Sequence, residues 1–466
     1  MSLYDRLLEV LPEVKKPAER LTFKKKLIWT LSILGIFFLL QIIPLYGLGQ
    51  NALQTFEILS VILGAEFGSI ISLGIGPIVT ASIVLQLLNG SGIVKFDMQS
   101  HEGKAKFQGT QKLLSVFFVL FEACIYVFFG GLAPAPDLAG TAIFFTLELV
   151  LVAQLFLGGL VIMMMDEISS KWGFGSGLSL FIAAGVSKSV FIRAFSWLPS
   201  PNNPEISAGA IPALFQSLVA GDPTTAFLML SAVVATVAVF AVAVYVQSMK
   251  VELPLSFGKV RGYGIRWPLN FLYTSNIPVI LVAAMFANIQ LWARLLQNAG
   301  HPFLGTFVGN SPATGLVSII AAPQLIPTMI KQGTLLVGWM PYVNSIVYML
   351  LLTGGAVLFS LLWVQTAGMD AKSQAKQIIN SGLQIPGFRK DERILEAILN
   401  RYIMPLTVMG AITVGLIAGM ADLSGALTNG TGLLLTVMII YKLYEDIAKQ
   451  HMSDMHPEMR KFMGGN

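Results

Sequence analysis

Charged side chains are scarce: only 12% of the 466 residues are Asp, Glu, Lys or Arg, while 55% are hydrophobic. An average soluble domain carries about 25% charged residues, so a water-soluble globule of this composition would lack half its polar surface. Cysteine is nearly missing as well. The single Cys124 lies inside an apolar run, which excludes a disulfide framework. Histidine is rare, and His101, His301, His451 and His456 lie far apart without ligand spacing, so no metal or other cofactor is expected. Phosphate-binding loops are missing too, because the Gly103-Lys104 and Gly258-Lys259 pairs lack the rest of the motif. There is no Gly-x-Ser-x-Gly elbow and no His-Glu-x-x-His pair, so enzyme chemistry is not expected. Gly173, Gly175 and Gly177 imitate a dinucleotide fingerprint, but they open an apolar helix, where close helix packing is the simpler reading.

What the chain has instead is length of apolar run. A bilayer takes about 20 helical residues to cross, and ten segments meet that need: 27–47, 68–89, 111–131, 141–165, 177–197, 224–247, 268–292, 341–366, 402–421 and 427–446. We refer to these as spans 1 to 10. Two further apolar pieces do not qualify. Thr55–Gly64 is too short, and Gly315–Ile330 is broken by Pro323 and Pro327, so both read as re-entrant or surface segments. With ten spans and a cytoplasmic N-terminus, every Lys and Arg falls on the inner side apart from Lys188, Arg193, Arg294 and Lys331. That bias sets orientation. Promoting Gly315–Ile330 to a full span would put Lys372, Lys376, Arg389, Lys390 and Arg393 outside. The expected location is the cell (plasma) membrane, multi-pass, with both termini cytoplasmic. Topology and contact with anionic lipid account for most of the net charge of +5; docking to an anionic partner such as ribosomal RNA is the other reading.

The expected divisions are a cytoplasmic amphipathic segment at 1–26, an N-terminal half at 27–197 and an external hinge loop at 198–223. A C-terminal half at 224–446 follows, with cytoplasmic loops at 248–267 and 367–401, then a tail at 447–466. Residues 1–26 are polar and charged and lack signal-peptide form. Five spans per half is an odd number, so the second half is inverted relative to the first. In the second span of each half a proline stands among β-branched residues, Pro77 in one and Pro278 in the other, with Gln86 and Asn288 further along. Proline-interrupted helices in matching positions point to a pathway between the halves, although proline is tolerated in ordinary membrane helices. Glu122, mid-span, is a functional candidate by position, and a buried carboxyl satisfied by neighbouring helices fits it equally. Glu148 lies nearer an outer end and reads as interfacial.

Five stretches carry a more specific signal. They are Leu73-Gly74-Ile75-Gly76-Pro77-Ile78-Val79-Thr80 with Gln86-Leu87-Leu88, Gly175-Ser176-Gly177 with Phe181-Ile182-Ala183-Ala184-Gly185, and Ser275-Asn276-Ile277-Pro278 with Phe286-Ala287-Asn288. Pro386-Gly387-Phe388-Arg389 and Gly430-Thr431-Gly432 complete the set. In this order they resemble the SecY family, especially its archaeal and eukaryotic branch, over nearly the whole chain.

The resemblance implies an all-α membrane protein of ten transmembrane helices in two inverted five-helix halves, with a short re-entrant plug helix. It implies an hourglass channel whose waist is a ring of apolar side chains, matched here by Ile75, Val79, Leu178, Ile182, Ile280 and Leu435. The residues agree as far as they reach: 75/79 and 178/182 each share a helical face, and branched aliphatics around a narrow pore would dewet it. Ordinary packing explains the same side chains. The plug position falls on Thr55–Gly64, where Phe56, Leu59, Ile62 and Leu63 recur at helical spacing before Gly64. Thr80, Glu122 and Asn288 match a polar cluster at a lateral gate between spans 2 and 3 and spans 7 and 8. The basic loops, with Arg261, Arg266, Arg389 and Lys390, resemble ribosome-docking loops. Implied partners are a SecE-type subunit, a small peripheral subunit of SecG/Sec-beta type, the ribosome, signal sequences and nascent polypeptides, and the lipid bilayer.

Two other classes stay open at this point. A secondary transporter on inverted repeats needs a polar midplane site that these spans mostly lack. An intramembrane protease or lipid transferase needs a nucleophile–base or carboxylate pair within the helices, and neither is found.

Overall fold

The computed structural model describes residues 13–19, 21–51, 66–90, 93–94, 96, 100–200, 206–257, 264–274, 277–309, 311–334, 338–380, 383–384, 391–428 and 430–455. The first half contains α1 (Phe23–Ile42), α2 (Gly76–Gly90), α3 (His101–Phe128), α4 (Ala142–Trp172) and α5 (Gly177–Phe195). Next come α6 (Ala210–Ala220), α7 (Pro223–Ser248), α8 (Ile277–Asn298), α9 (Leu316–Ile320), α10 (Leu325–Gln332), α11 (Trp339–Thr366), α12 (Ala371–Asn380), α13 (Glu392–Ser424) and α14 (Gly430–Met455). Among the described residues, eight helices are long and apolar enough to cross a membrane: α1, α3, α4, α5, α7, α8, α11 and α13. Expected spans 2 and 10 are the helices α2 and α14, and by length and composition both fall short of that test. The first has only 15 residues, and the second carries Lys442, Glu445 and Asp446 in its latter part.

Local chemistry explains the helix starts. Ser100 and Thr141 accept from the N–H groups of Gly103 and Phe144 at the heads of α3 and α4. Asp222 accepts from Thr224 and Thr225 at the head of α7, ahead of Pro223; proline suits a first turn because that N–H has no helical partner.

Two boundaries correct the sequence expectation. Span 2 begins at Gly76 rather than 68, because Ser69 and Ser72 turn their hydroxyls onto the Glu66 carbonyl and Gly68 and Gly74 adopt φ 94° and 55°. Such local side-chain bonds compete with a helix. Span 7 begins at Ile277 rather than 268, because the chain is still in a strand as far as Asn270. Pro77 and Pro278 therefore stand second in α2 and α8 and start these helices instead of interrupting them.

Strands also appear where only loops were expected. β1 (Gln50–Asn51) pairs with β2 (Leu132–Ala133), and β5 (Phe307–Val308) with β6 (Ser311–Pro312). The larger sheet has the order β4-β3-β7, formed by Lys250–Phe257 (β3), Gly264–Asn270 (β4) and Leu383–Gln384 (β7). β3 and β4 form an antiparallel hairpin with Lys250 opposite Asn270, and β7 adds to β3 with Ser256 opposite Gln384. The expected external loop contains α6, and the expected loop at 367–401 contains α12 and the first turns of α13.

One apolar core runs from α1 (Ile33, Phe37) through α2, α5 and α8 to α11, α13 and α14. A second lies between α3, α4 and α8, around Val119, Tyr126, Leu151 and Leu291. A third, around Leu253, Leu269, Ala375, Leu399 and Ile403, joins the sheet to α12 and α13.

Candidate functional site

The expected ring residues converge in the first core. Ile75, Val79, Ile182, Ile280 and Leu435 are buried there, and Leu178 is half-buried against them. They come from five places: the turn before α2, α2 itself, α5, α8 and α14. Ile75 precedes the helix, yet its carbonyl accepts from Val79 N at 3.0 Å, which stacks the two side chains one turn apart. α14 packs on α5 and on α8, and α8 packs on α2, so the fifth and tenth spans close the group against the second and seventh. All six side chains are aliphatic. Gathered in one core, they offer no polar group that could carry an ion.

Beside this cluster runs a polar seam. Thr80 on α2, Glu122 on α3 and Asn288 on α8 are all buried. Asn288 Nδ2 donates to Thr80 Oγ1 at 2.7 Å, and the Thr80 hydroxyl faces Glu122 Oε1 at 3.2 Å and the Gly76 carbonyl at 2.9 Å. The sequence separations are 208 and 42 residues, so the fold alone makes the triad. Among the described residues, Glu122 Oε2 and Asn288 Oδ1 are buried without a hydrogen-bond partner, so the seam is incompletely satisfied there. α2 contacts both α8 and α11, so the two halves meet here as well as where α5 packs on α14.

Other expected residues are not brought here. Arg266 lies on β4, at the register position opposite Pro254. Arg261, Arg389 and Lys390 fall outside the described residues, as do Phe56, Leu59, Ile62, Leu63 and Gly64.

Sequence reasoning missed two groups. On the side of the waist towards residue 66, Lys188 of α5 donates to Gln41 at 3.2 Å and pairs with Glu66 at 3.1 Å. Between α11, α13 and α14, Asp422 accepts from Tyr348 Oη at 2.6 Å, from Thr431 N at 3.1 Å and from Thr431 Oγ1 at 2.5 Å. The signal for the second was present in the sequence, as an aspartate closing an apolar run a few residues before Gly430-Thr431-Gly432.

This bundle of membrane-length apolar helices, with a buried aliphatic cluster beside a polar seam, has the fold of a channel-type membrane protein, as the likeness to a solved channel shows. The SecY family model matches residues 69–444. The protein translocase subunit SecY of Methanothermobacter thermautotrophicus is 44% identical, over 99% of this chain and 98% of its own length. Among solved structures, a protein-conducting channel is similar with TM-score 0.83 and 39% identity, covering 98% of this chain and 99% of that one. Sec61 in the canine ribosome–channel complex from the endoplasmic reticulum follows with TM-score 0.80 and 38% identity, again over 98% and 99%. The chain belongs to the SecY family.

Proposed function

We propose that this chain is the central subunit of a Sec translocon, a passive gated channel that conducts unfolded polypeptides and releases apolar segments sideways into lipid. The observation that carries this reading is the adjacency of the two features above. An apolar waist gives a translocating chain no specific grip and gives ions no path. A seam of single interhelical hydrogen bonds, each worth about 0.6 kcal/mol in a membrane, holds α2 and α3 to α8 yet yields to an inserting hydrophobic helix. Thr80, Glu122 and Asn288 are the lateral gate, and Ile75, Val79, Leu178, Ile182, Ile280 and Leu435 form the ring. The segment at 55–64 is the plug. Energy comes from a translating ribosome or another motor, which docks on the basic loops around Arg261, Arg266, Arg389 and Lys390.

Small single-helix subunits of SecE type and of SecG or Sec-beta type complete the complex. α7 offers a surface for one of them: one side packs on α6, α13 and α14, while Phe227, Val234, Val237, Phe240 and Tyr245 are exposed. The chain resides in the plasma membrane with both termini cytoplasmic, in line with its distribution of Lys and Arg.

The test places a single cysteine in the waist (Val79→Cys, with Cys124→Ser) and adds a ribosome-stalled secretory chain carrying one cysteine. A disulfide at position 79, without one at a lipid-facing control, is the expected result. No disulfide at 79, 182 or 280 in a fully inserted protein removes the pore assignment.

A further inference from the structure

The turn from α4 to α5 and the turn from α13 to α14 have the same construction, although they join different pairs of spans. In the last two turns of α4, Asp166 reaches forward to the head of α5: its Oδ1 accepts from Leu178 N at 2.9 Å and from Ser176 Oγ at 3.2 Å. Near the end of α13, Asp422 reaches forward to the head of α14: Oδ1 accepts from Thr431 N and Oδ2 from Thr431 Oγ1. In each case the carboxylate comes from the preceding helix, nine or more residues back, and satisfies an N–H group that the first turn leaves unpaired. Ser176, which stands at the usual capping position of α5, makes no side-chain cap bond of its own.

A glycine lets each carboxylate approach. A β-carbon on Gly177 would lie 2.6 Å from Asp166 Cα, and one on Gly430 would lie 2.5 Å from Asp422 N and 2.3 Å from the Ala421 carbonyl carbon. Any side chain there lifts the helix head off its cap. Directly downstream stand the waist side chains. Leu178 is itself the residue whose N–H is held, Ile182 lies one turn on, and Leu435 lies one turn beyond Thr431. A helix advances 1.5 Å and turns about 100° per residue, so a slip of one residue at either cap would swing these side chains out of the ring.

We propose that Asp166 and Asp422 are paired positioning residues that fix the height and rotation of the two helices carrying Leu178, Ile182 and Leu435 into the waist. The pair is not equal. Asp422 has a third donor, Tyr348 of α11, the helix that also meets α2 across the seam; among the described residues Asp166 has no such brace. The α14 cap is therefore tied to the gate and the α5 cap is not.

This inference rests on the channel reading for its purpose, and its test separates the two. In the full chain with Cys124→Ser, reconstituted in lipid vesicles, Ile182→Cys or Leu435→Cys reports the waist through its rate of modification by a small water-soluble thiol reagent. Ile192→Cys and Ile440→Cys, on exposed faces of the same helices, serve as controls. Asp166→Ala is expected to speed modification at 182, and Asp422→Ala at 435, by about tenfold, with the controls unchanged. Asp→Asn keeps an acceptor oxygen and should restore most of the protection. Tyr348→Phe should move position 435 in the same direction by a smaller factor and leave 182 alone. If the alanine variants do not fold, Ser176→Ala and Thr431→Val carry the test, with an expected increase of about threefold.

Unchanged modification in folded variants overturns the proposal, as does equal acceleration at the control sites. Faster modification without any ion leak through the vesicles upholds the positioning role and counts against the waist as the permeability barrier.

Discussion

Among the described residues the carboxyls of Asp422 and Glu122 are buried within this bundle, and they differ in how completely they are satisfied. At Asp422 both oxygens accept hydrogen bonds, from Tyr348 and from the backbone and hydroxyl of Thr431. At Glu122 one oxygen faces Thr80 while, among the described residues, Oε2 has no partner, and across the seam Asn288 Oδ1 has none either. In a low-dielectric interior each unmade bond is costly and each made bond is strong. A fully satisfied cluster therefore resists separation, whereas a half-satisfied one gives up little when its helices part and its groups find new partners. The first suits a joint that must hold while the second suits one that must open.

Breaking the satisfied cluster should have the larger effect. Asp422→Ala strands the Tyr348 and Thr431 hydroxyls and a backbone N–H, and is expected to cost about 3 kcal/mol, read as a fall in the thermal unfolding midpoint in detergent. A fall no greater than that of Glu122→Gln would erase the contrast. Asn288→Leu should cost stability less, about 1 kcal/mol, and should instead ease opening. Its measure is the hydrophobicity a signal sequence needs for insertion, which should drop; an unchanged threshold would show that the seam does not gate.

The smallest effect concerns a surface counterpart. Glu13 accepts from Lys171 Nζ at 2.8 Å, and this bond holds its carboxyl below the usual carboxylate range. A lowered value means the contact helps above the ordinary carboxylate range and is lost as pH falls through the folded one. Proteolysis of residues 13–19 should thus quicken modestly on acidification, and Glu13→Gln should flatten that dependence.

Much of the fold was legible in the sequence, because lipid enforces one pattern, the long apolar helix. Where the reading failed, short-range polar chemistry had overruled hydropathy. Leu73 and Ile75 belong to an apolar stretch, yet the hydroxyls of Ser69 and Ser72 hold the chain just ahead of them in turns. The β3–β4 hairpin was missed although Val251, Leu253, Leu255 and Phe257 alternate, because so short a run inside a basic loop reads for its charge. Its Leu253 and Leu269 pack against α12 and α13. The waist pairs 75/79 and 178/182 were visible by spacing, but their convergence from four helices and a turn depends on packing that no local pattern records. The same holds for Asn288 and Thr80, 208 residues apart. Asp166 and Asp422 escaped notice for a different reason. A capping residue is sought next to the helix it caps, and here it belongs to the helix before.

The β4-β3-β7 sheet has a mechanical consequence. β3 continues from α7, β4 leads into α8, and β7 lies between α12 and α13, so one hydrogen-bonded plate joins the ends of helices from separate parts of the chain. Lys250, at the start of β3, is paired with Glu445 of α14, and Tyr273, just past β4, donates to the Met369 carbonyl just past α11. A load applied to either loop is shared by both. Whatever leans on this end of the protein pushes on a single stiff handle, and the torque it delivers reaches α8 and α14, the helices that carry Ile280 and Leu435.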